Sequence, residues 1–146
     1  MYVDAIEAMK SHIFFRSMTE DGQYTLHAGD VYWDNQSLPT IEPKIQHLSC
    51  FAGGMVSLGA QAFGRPQELT VARRLVDGCI WGYESGRLGI MPEIMHVVAC
   101  EDQSSCPWDE ERWRQAVEEA FPRTDVDAQH LPPGVSEIDN AQYLLR

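Results

Sequence analysis

Three observations predict a mostly α-helical chain: apolar residues recur at helical spacing in several segments, glycine and proline punctuate them, and strand-like alternation is scarce. Val3, Ile6, Met9 and Ile13 share one face, so residues 2–16 read as one amphipathic helix, which "SMTEDG" ends. Two short alternating runs in "QYTLHAGDVYWDN" flank Ala28-Gly29-Asp30 and suggest a small β-hairpin. Leu48, Phe51, Met55 and Leu58 form the apolar face of the next helix, which Gly64 closes, and Pro66 opens its partner near the first turn. That partner runs to about Tyr83 and is expected to bury Leu69, Ala72, Leu75, Val76, Cys79 and Ile80 before Ser85-Gly86 stops it. "RLGIMPEIMHVVAC" reads as an apolar loop broken at Pro92. Asp109 can cap a last helix with an acidic first turn, whose Trp113, Ala116, Val117 and Phe121 lie on one face.

Composition narrows the function. At 146 residues, 44% hydrophobic and with four Trp, the chain has enough apolar material for one core, and no flexible linker divides it. A formal charge of −11 repels a phosphate backbone, which argues against nucleic acid and anionic membrane surfaces. No apolar run approaches the roughly 18 residues of a membrane span, and "MYVDAIEAMK" lacks the basic and apolar regions of a signal peptide. The four cysteines lack the CxxC pairs of a zinc site, so buried thiols and disulfides both fit them. A helix that begins almost at Met1 and an apolar "QYLLR" that stops at Arg146 lead to the expectation of an internal fragment.

"HLSCFAGGMVSLGA", a following helix that carries Cys79, then "GRLGIMPEI" and finally "QYLLR" closely resemble glycoside hydrolase family 47, the class I α-1,2-mannosidases. Each motif alone is weak, but their order and spacing along the whole chain are specific. "ACEDQSSCPWDEERW" and "LPPGVSEI" resemble the insertion of the filamentous-fungal members. The resemblance implies that residues 1–146 are an internal fragment of one catalytic domain, part of an (α/α) barrel of seven helical hairpins with β-structured loops at one end. It also implies hydrolysis of terminal α-1,2-linked mannose from a high-mannose N-glycan or glycoprotein, with inversion and a bound Ca2+. Inversion needs one carboxylic acid for the leaving oxygen and another carboxylate to activate water on the opposite face.

Carried onto this sequence, Glu93 in "MPEI" matches an acidic position of the family's pocket and is the candidate catalytic carboxylate. Read locally, it is a carboxylate beside Pro92 at a helix start. His47 matches the pocket histidine that contacts the sugar; on local grounds it is a satisfied core histidine. Arg146 matches the arginine that the family follows with Pro-Glu, and would face the same pocket. The resemblance pairs Cys50 with Cys79, a bridge worth about 3–4 kcal/mol in the loop-entropy estimate. Cys100 and Cys106 are spaced so that a second bridge is allowed but not demanded. Gly53-Gly54 are expected to let a neighbouring helix or the sugar approach closely. No calcium ligand is assigned within these residues, since the family's partner carboxylates and its calcium-holding threonine match nothing in the chain. The chain alone is therefore expected to be inactive.

Such an enzyme belongs to the secretory route, endoplasmic reticulum, Golgi or secreted, and is compatible with a membrane anchor on the complete protein. Two rival readings are a catalytically dead, lectin-like factor that binds mannose-rich glycans in glycoprotein degradation, and a helical protein-interaction scaffold. Free thiols at Cys50 and Cys79 would favour the scaffold.

Overall fold

The computed structural model describes residues 1–33, 39–86, 89–120 and 142–144. The first helix, α1 (Tyr2–His12), buries Ile6 and rests Tyr2 and Met9 on the first core cluster, which Ile13, just past its end, also joins. It is shorter than the predicted 2–16, because Phe14-Phe15-Arg16 forms a strand, β1 (Phe14–Arg16), with all three residues buried. Successive strand residues face opposite sides, so a strand covered on both sides can bury three in a row, which one helix face cannot.

The strands β2 (Leu26–Ala28) and β3 (Asp30–Tyr32) lie where the alternating runs predict them, but they do not form a hairpin with each other. β2 pairs antiparallel with β1, Phe15 opposite His27. β3 pairs antiparallel with β4 (Thr40–Glu42), Val31 opposite Ile41. Only Gly29 separates β2 from β3, and one residue cannot make the two-residue reversal that a tight hairpin requires. The chain changes partners instead, and there is no room for a larger residue: a Cβ on Gly29 would lie 2.7 Å from the Glu42 carbonyl oxygen.

β5 (Lys44–Gln46) leads through a 3-10 turn (His47–Cys50) into α2 (Phe51–Ala62). Gly64, at φ +63°, closes α2, and the Arg65 N–H reaches back to the Ala60 carbonyl at 2.8 Å. That six-residue closure is a Schellman end, which favours glycine at the left-handed position. α3 (Glu68–Ser85) then packs along α2 as a helical hairpin. The buried face of this hairpin differs from the predicted one. Ala72 and Leu75 are buried as expected, but Leu48, Phe51, Met55, Leu58, Leu69, Val76 and Ile80 are exposed; Phe51 is 77% exposed and Leu58 73%. Gly53, Val56, Gly59, Ala60, Gly78, Trp81 and Gly82 are buried instead. Small residues win because the contact is backbone to backbone: a Cβ on Gly78 would stand 2.3 Å from the Leu26 carbonyl oxygen.

The predicted loop after α3 contains β6 (Ile94–His96), which pairs antiparallel with β5 and in parallel with β7 (Gln142–Leu144). Ile45 and Met95 meet across the β5–β6 register, 1% and 0% exposed, and bind this sheet to Phe15, Trp81, Met91 and Val97 in a second core cluster. Asp109 Oδ1 accepts from the N–H groups of Glu111 and Arg112 and so caps α4 (Glu110–Ala120), as predicted. Trp113 packs with Met18 and Val98 in a third cluster, flanked by Ala116 and Val117. Phe121 lies outside the described residues. Among the described residues no helix is long and apolar enough to cross a membrane.

Candidate functional site at the head of the helical hairpin

Two of the predicted site residues, far apart in sequence, meet in space. The β5–β6 ladder places Gln46 opposite Ile94, and one step beyond it the His47 N–H donates to the Glu93 carbonyl oxygen at 3.0 Å. The sheet therefore fixes both backbones at one edge. His47, the first residue of the 3-10 turn, is half-buried, while Glu93 is exposed and presents its carboxylate to solvent. Arg146 lies outside the described residues.

The ground beneath this pair is covalently fixed. Cys50 and Cys79 form a disulfide with Cα atoms 5.7 Å apart, which joins the turn after His47 to the middle of α3. The Met91 sulfur lies 3.8 Å from Cys50 Sγ; a disulfide sulfur carries no proton, so this is a packing contact. Cys100 and Cys106 form the second disulfide, Cα atoms 5.6 Å apart, and no described cysteine is free. The support that free thiols would have given the scaffold reading is therefore absent. Of the paired glycines, only Gly53 is in close contact: its Cβ would meet Val76 Cγ2 at 2.6 Å, whereas a Cβ on Gly54 would meet nothing within 4 Å.

Charge organises the flank of the sheet. Lys44 pairs with Asp30 at 2.8 Å and Glu42 at 3.4 Å, and Gln46 Nε2 donates to Asp30, which ties β3 and β4 to β5. The hydrogen bond to Asp30 is the main reason that the Lys44 ammonium is held well above its ordinary range. Tyr32 is raised as well, chiefly by its hydrogen bond with Glu42.

Two of the buried polar side chains, His27 and Glu68, carry no signal in the sequence. His27, 3% exposed, shares hydrogen bonds with Ser17 (3.0 Å) and Thr25 (3.3 Å) between the rings of Phe15 and Trp81, and burial pushes its imidazole down to about 3. Glu68, 1% exposed, accepts from Arg65 at 2.8 Å with Lys10 at 3.7 Å, and Arg65 also pairs with Glu7 of α1. "LHA" and "QEL" carry no local sign of burial, because the groups that cover these side chains are distant in sequence. Both side chains are buried and serve as internal ties, Glu68 between α1 and α3 and His27 between β1, β2 and α3.

About half of the described residues are helical, and beside the bridged α2–α3 hairpin a histidine and a carboxylate-bearing residue meet at the end of one strand pair. The profile described as glycosyl hydrolase family 47 matches residues 1–146, and the chain belongs to that family. Among curated proteins, mannosyl-oligosaccharide 1,2-alpha-mannosidase IB of Homo sapiens is 36% identical over 96 residues, which is 64% of this chain and 14% of that protein. The Mus musculus protein of the same name is 32% identical over 99 residues, with the same coverage. The chain thus spans a small part of the length of these relatives. Among solved structures, the alpha-1,2-mannosidase from Trichoderma reesei superposes with a TM-score of 0.53 at 19% identity, over 64% of this chain and 18% of that one, a likeness of fold.

Proposed function

We propose that the complete protein removes terminal α-1,2-linked mannose from high-mannose N-glycans by an inverting, calcium-dependent mechanism within an (α/α) barrel of which residues 1–146 form part. The observation that carries this reading is the family match along the whole chain, whose matched residues include the neighbouring His47 and Glu93. Glu93 serves as one of the two carboxylates that inversion requires, and its exposed position leaves it open to a sugar hydroxyl or a water. His47, oriented by the Glu93 backbone, contacts the sugar. Arg146 is assigned a sugar contact by the family motif alone.

Calcium belongs to the complete domain. Among the described residues no group of three or more His, Cys, Asp or Glu side chains could hold a metal ion, and no ligand is assigned to them. Two disulfides agree with maturation in the oxidising secretory route.

The test is to follow the anomeric proton signals of α-1,2-mannobiose by NMR with the complete protein and with residues 1–146. The complete protein should release β-mannose first and lose activity on chelation of calcium; the 146-residue chain should release none. Release of α-mannose first would contradict inversion. Sugar binding by the complete protein without turnover would replace the enzyme reading with the lectin-like one.

A further inference from the structure

His47 directly follows Gln46, the last residue of β5, so the contacts that fix Gln46 also fix the start of the turn that carries the histidine. Three of them converge there. The Gln46 backbone lies opposite Ile94 in the β5–β6 ladder. Its carbonyl oxygen accepts from the Ser49 hydroxyl at 2.7 Å, a bond that closes over His47 and Leu48. Its side-chain amide reaches out of the β5–β6 ladder to another strand pair: Nε2 donates to Asp30 of β3, 3.3 Å from Oδ2 and 3.4 Å from Oδ1.

Asp30 is placed for this bond by its neighbours, and at a cost. The β3–β4 register sets it directly opposite Glu42, and like charges facing each other across a strand pair are destabilising. Lys44 relieves the repulsion, with Nζ 2.8 Å from Asp30 Oδ2 and 3.4 Å from Glu42 Oε2. Lys44 and Gln46 are alternate residues of β5, so their side chains leave the same face about 7 Å apart along the strand, and Asp30 spans the two. All three side chains are half-buried, and an ion pair so open to water contributes little to stability. Its effect is on direction. The ammonium holds one carboxylate oxygen, and the carboxylate in turn holds the Gln46 amide.

We propose that Asp30 is a positioning residue for His47: through the Gln46 amide it sets the end of β5, and thereby the angle at which the following turn presents the histidine to a mannose unit. This rests on the glycan-processing reading, with His47 as its sugar contact. The tie reaches His47 as the chain neighbour of Gln46. It reaches Glu93 at one further remove, through the bond from the His47 N–H to the Glu93 carbonyl, so sugar binding depends on it more than the chemical step does.

The experiment measures KM and kcat of the complete protein on α-1,2-mannobiose for Asp30→Ala, Gln46→Leu and the double variant. Each single variant should raise KM about fivefold or more and change kcat by less than about twofold, the pattern of a lost binding contact. The double variant should be no worse than either single one, because both remove the same hydrogen bond. Gln46→Leu leaves the pair of Lys44 with Asp30 in place, so it carries the test even where Asp30→Ala does not fold. A native KM in Gln46→Leu would mean that Asp30 only braces the strands through Lys44, and would overturn the proposal. Effects on KM that multiply in the double variant, or a fall in kcat at unchanged KM, would overturn it as well. If Glu93→Gln lost activity while these variants kept the native KM, the proposed function would stand without the positioning role. If the complete protein bound mannobiose without turnover, the enzymatic reading would fall, and the positioning role would stand or fall on whether Gln46→Leu raised Kd by the same factor. A native protein that neither bound nor hydrolysed the sugar would overturn both.

Discussion

The two faces of the α2–α3 hairpin are both apolar, yet they behave oppositely. One, built on Val56, Gly59, Ala72, Leu75 and Gly78, is sealed against α1, β1 and β2. The other carries Phe51, Met55, Leu58, Val76 and Ile80 and stands exposed. The difference teaches that side-chain size alone does not say which face a chain buries with its own residues. Where strand and helix backbones approach closely, glycine and alanine make the contact, and the larger residues are left on the outside.

That contrast can be broken or sharpened by substitution. Leu75→Ala, at 3% exposure, should cost about 2–5 kcal/mol in a denaturant titration, whereas Leu58→Ser on the open face should change stability by less than about 0.5 kcal/mol. Equal effects would mean that the two faces are equally covered in solution. Removing the Cys50–Cys79 bridge, which closes 29 positions, should cost about 3–4 kcal/mol, and removing the Cys100–Cys106 bridge about 2 kcal/mol by the same chain-entropy estimate.

A smaller, pH-dependent effect belongs to the sealed side. His27 has a folded value of about 3 against an ordinary 6.5, so the fold favours its neutral form. This contribution is complete above pH 6.5 and declines as pH falls toward 3, by about 1.4 kcal/mol for each unit. Thermal melts at pH 7.5 and pH 5.5 should show this loss in the native sequence and much less of it in His27→Gln. The smallest contrast sits within one helix: Gly54→Ala should gain up to about 1 kcal/mol, because its Cβ meets open space, while Gly53→Ala should be destabilising, because its Cβ meets Val76.

Much of the helical architecture is legible in the residues. Periodicity places α2 and α3, the glycine at position 64 marks the turn between them, and Asp109 marks the start of α4. The strands are harder to read, since each described strand is three residues long and β5, β6 and β7 pair with partners distant in sequence. A run such as Phe14-Phe15-Arg16 continues the helical pattern before it, and only its pairing with Leu26–Ala28 makes it a strand. His47 and Glu93 came from motif resemblance, and their proximity could not be read from spacing because it depends on the β5–β6 register.

The central claim is that the exposed carboxylate beside His47 belongs to the catalytic machinery of a family 47 hydrolase. Its most direct test is kcat of the complete protein on α-1,2-mannobiose before and after Glu93→Gln, a substitution that keeps the size of the side chain and leaves the backbone bond to His47 intact. The account predicts a fall of about 10²-fold or more, the scale of lost acid–base catalysis, with the fold unchanged. Full activity in the variant would contradict it.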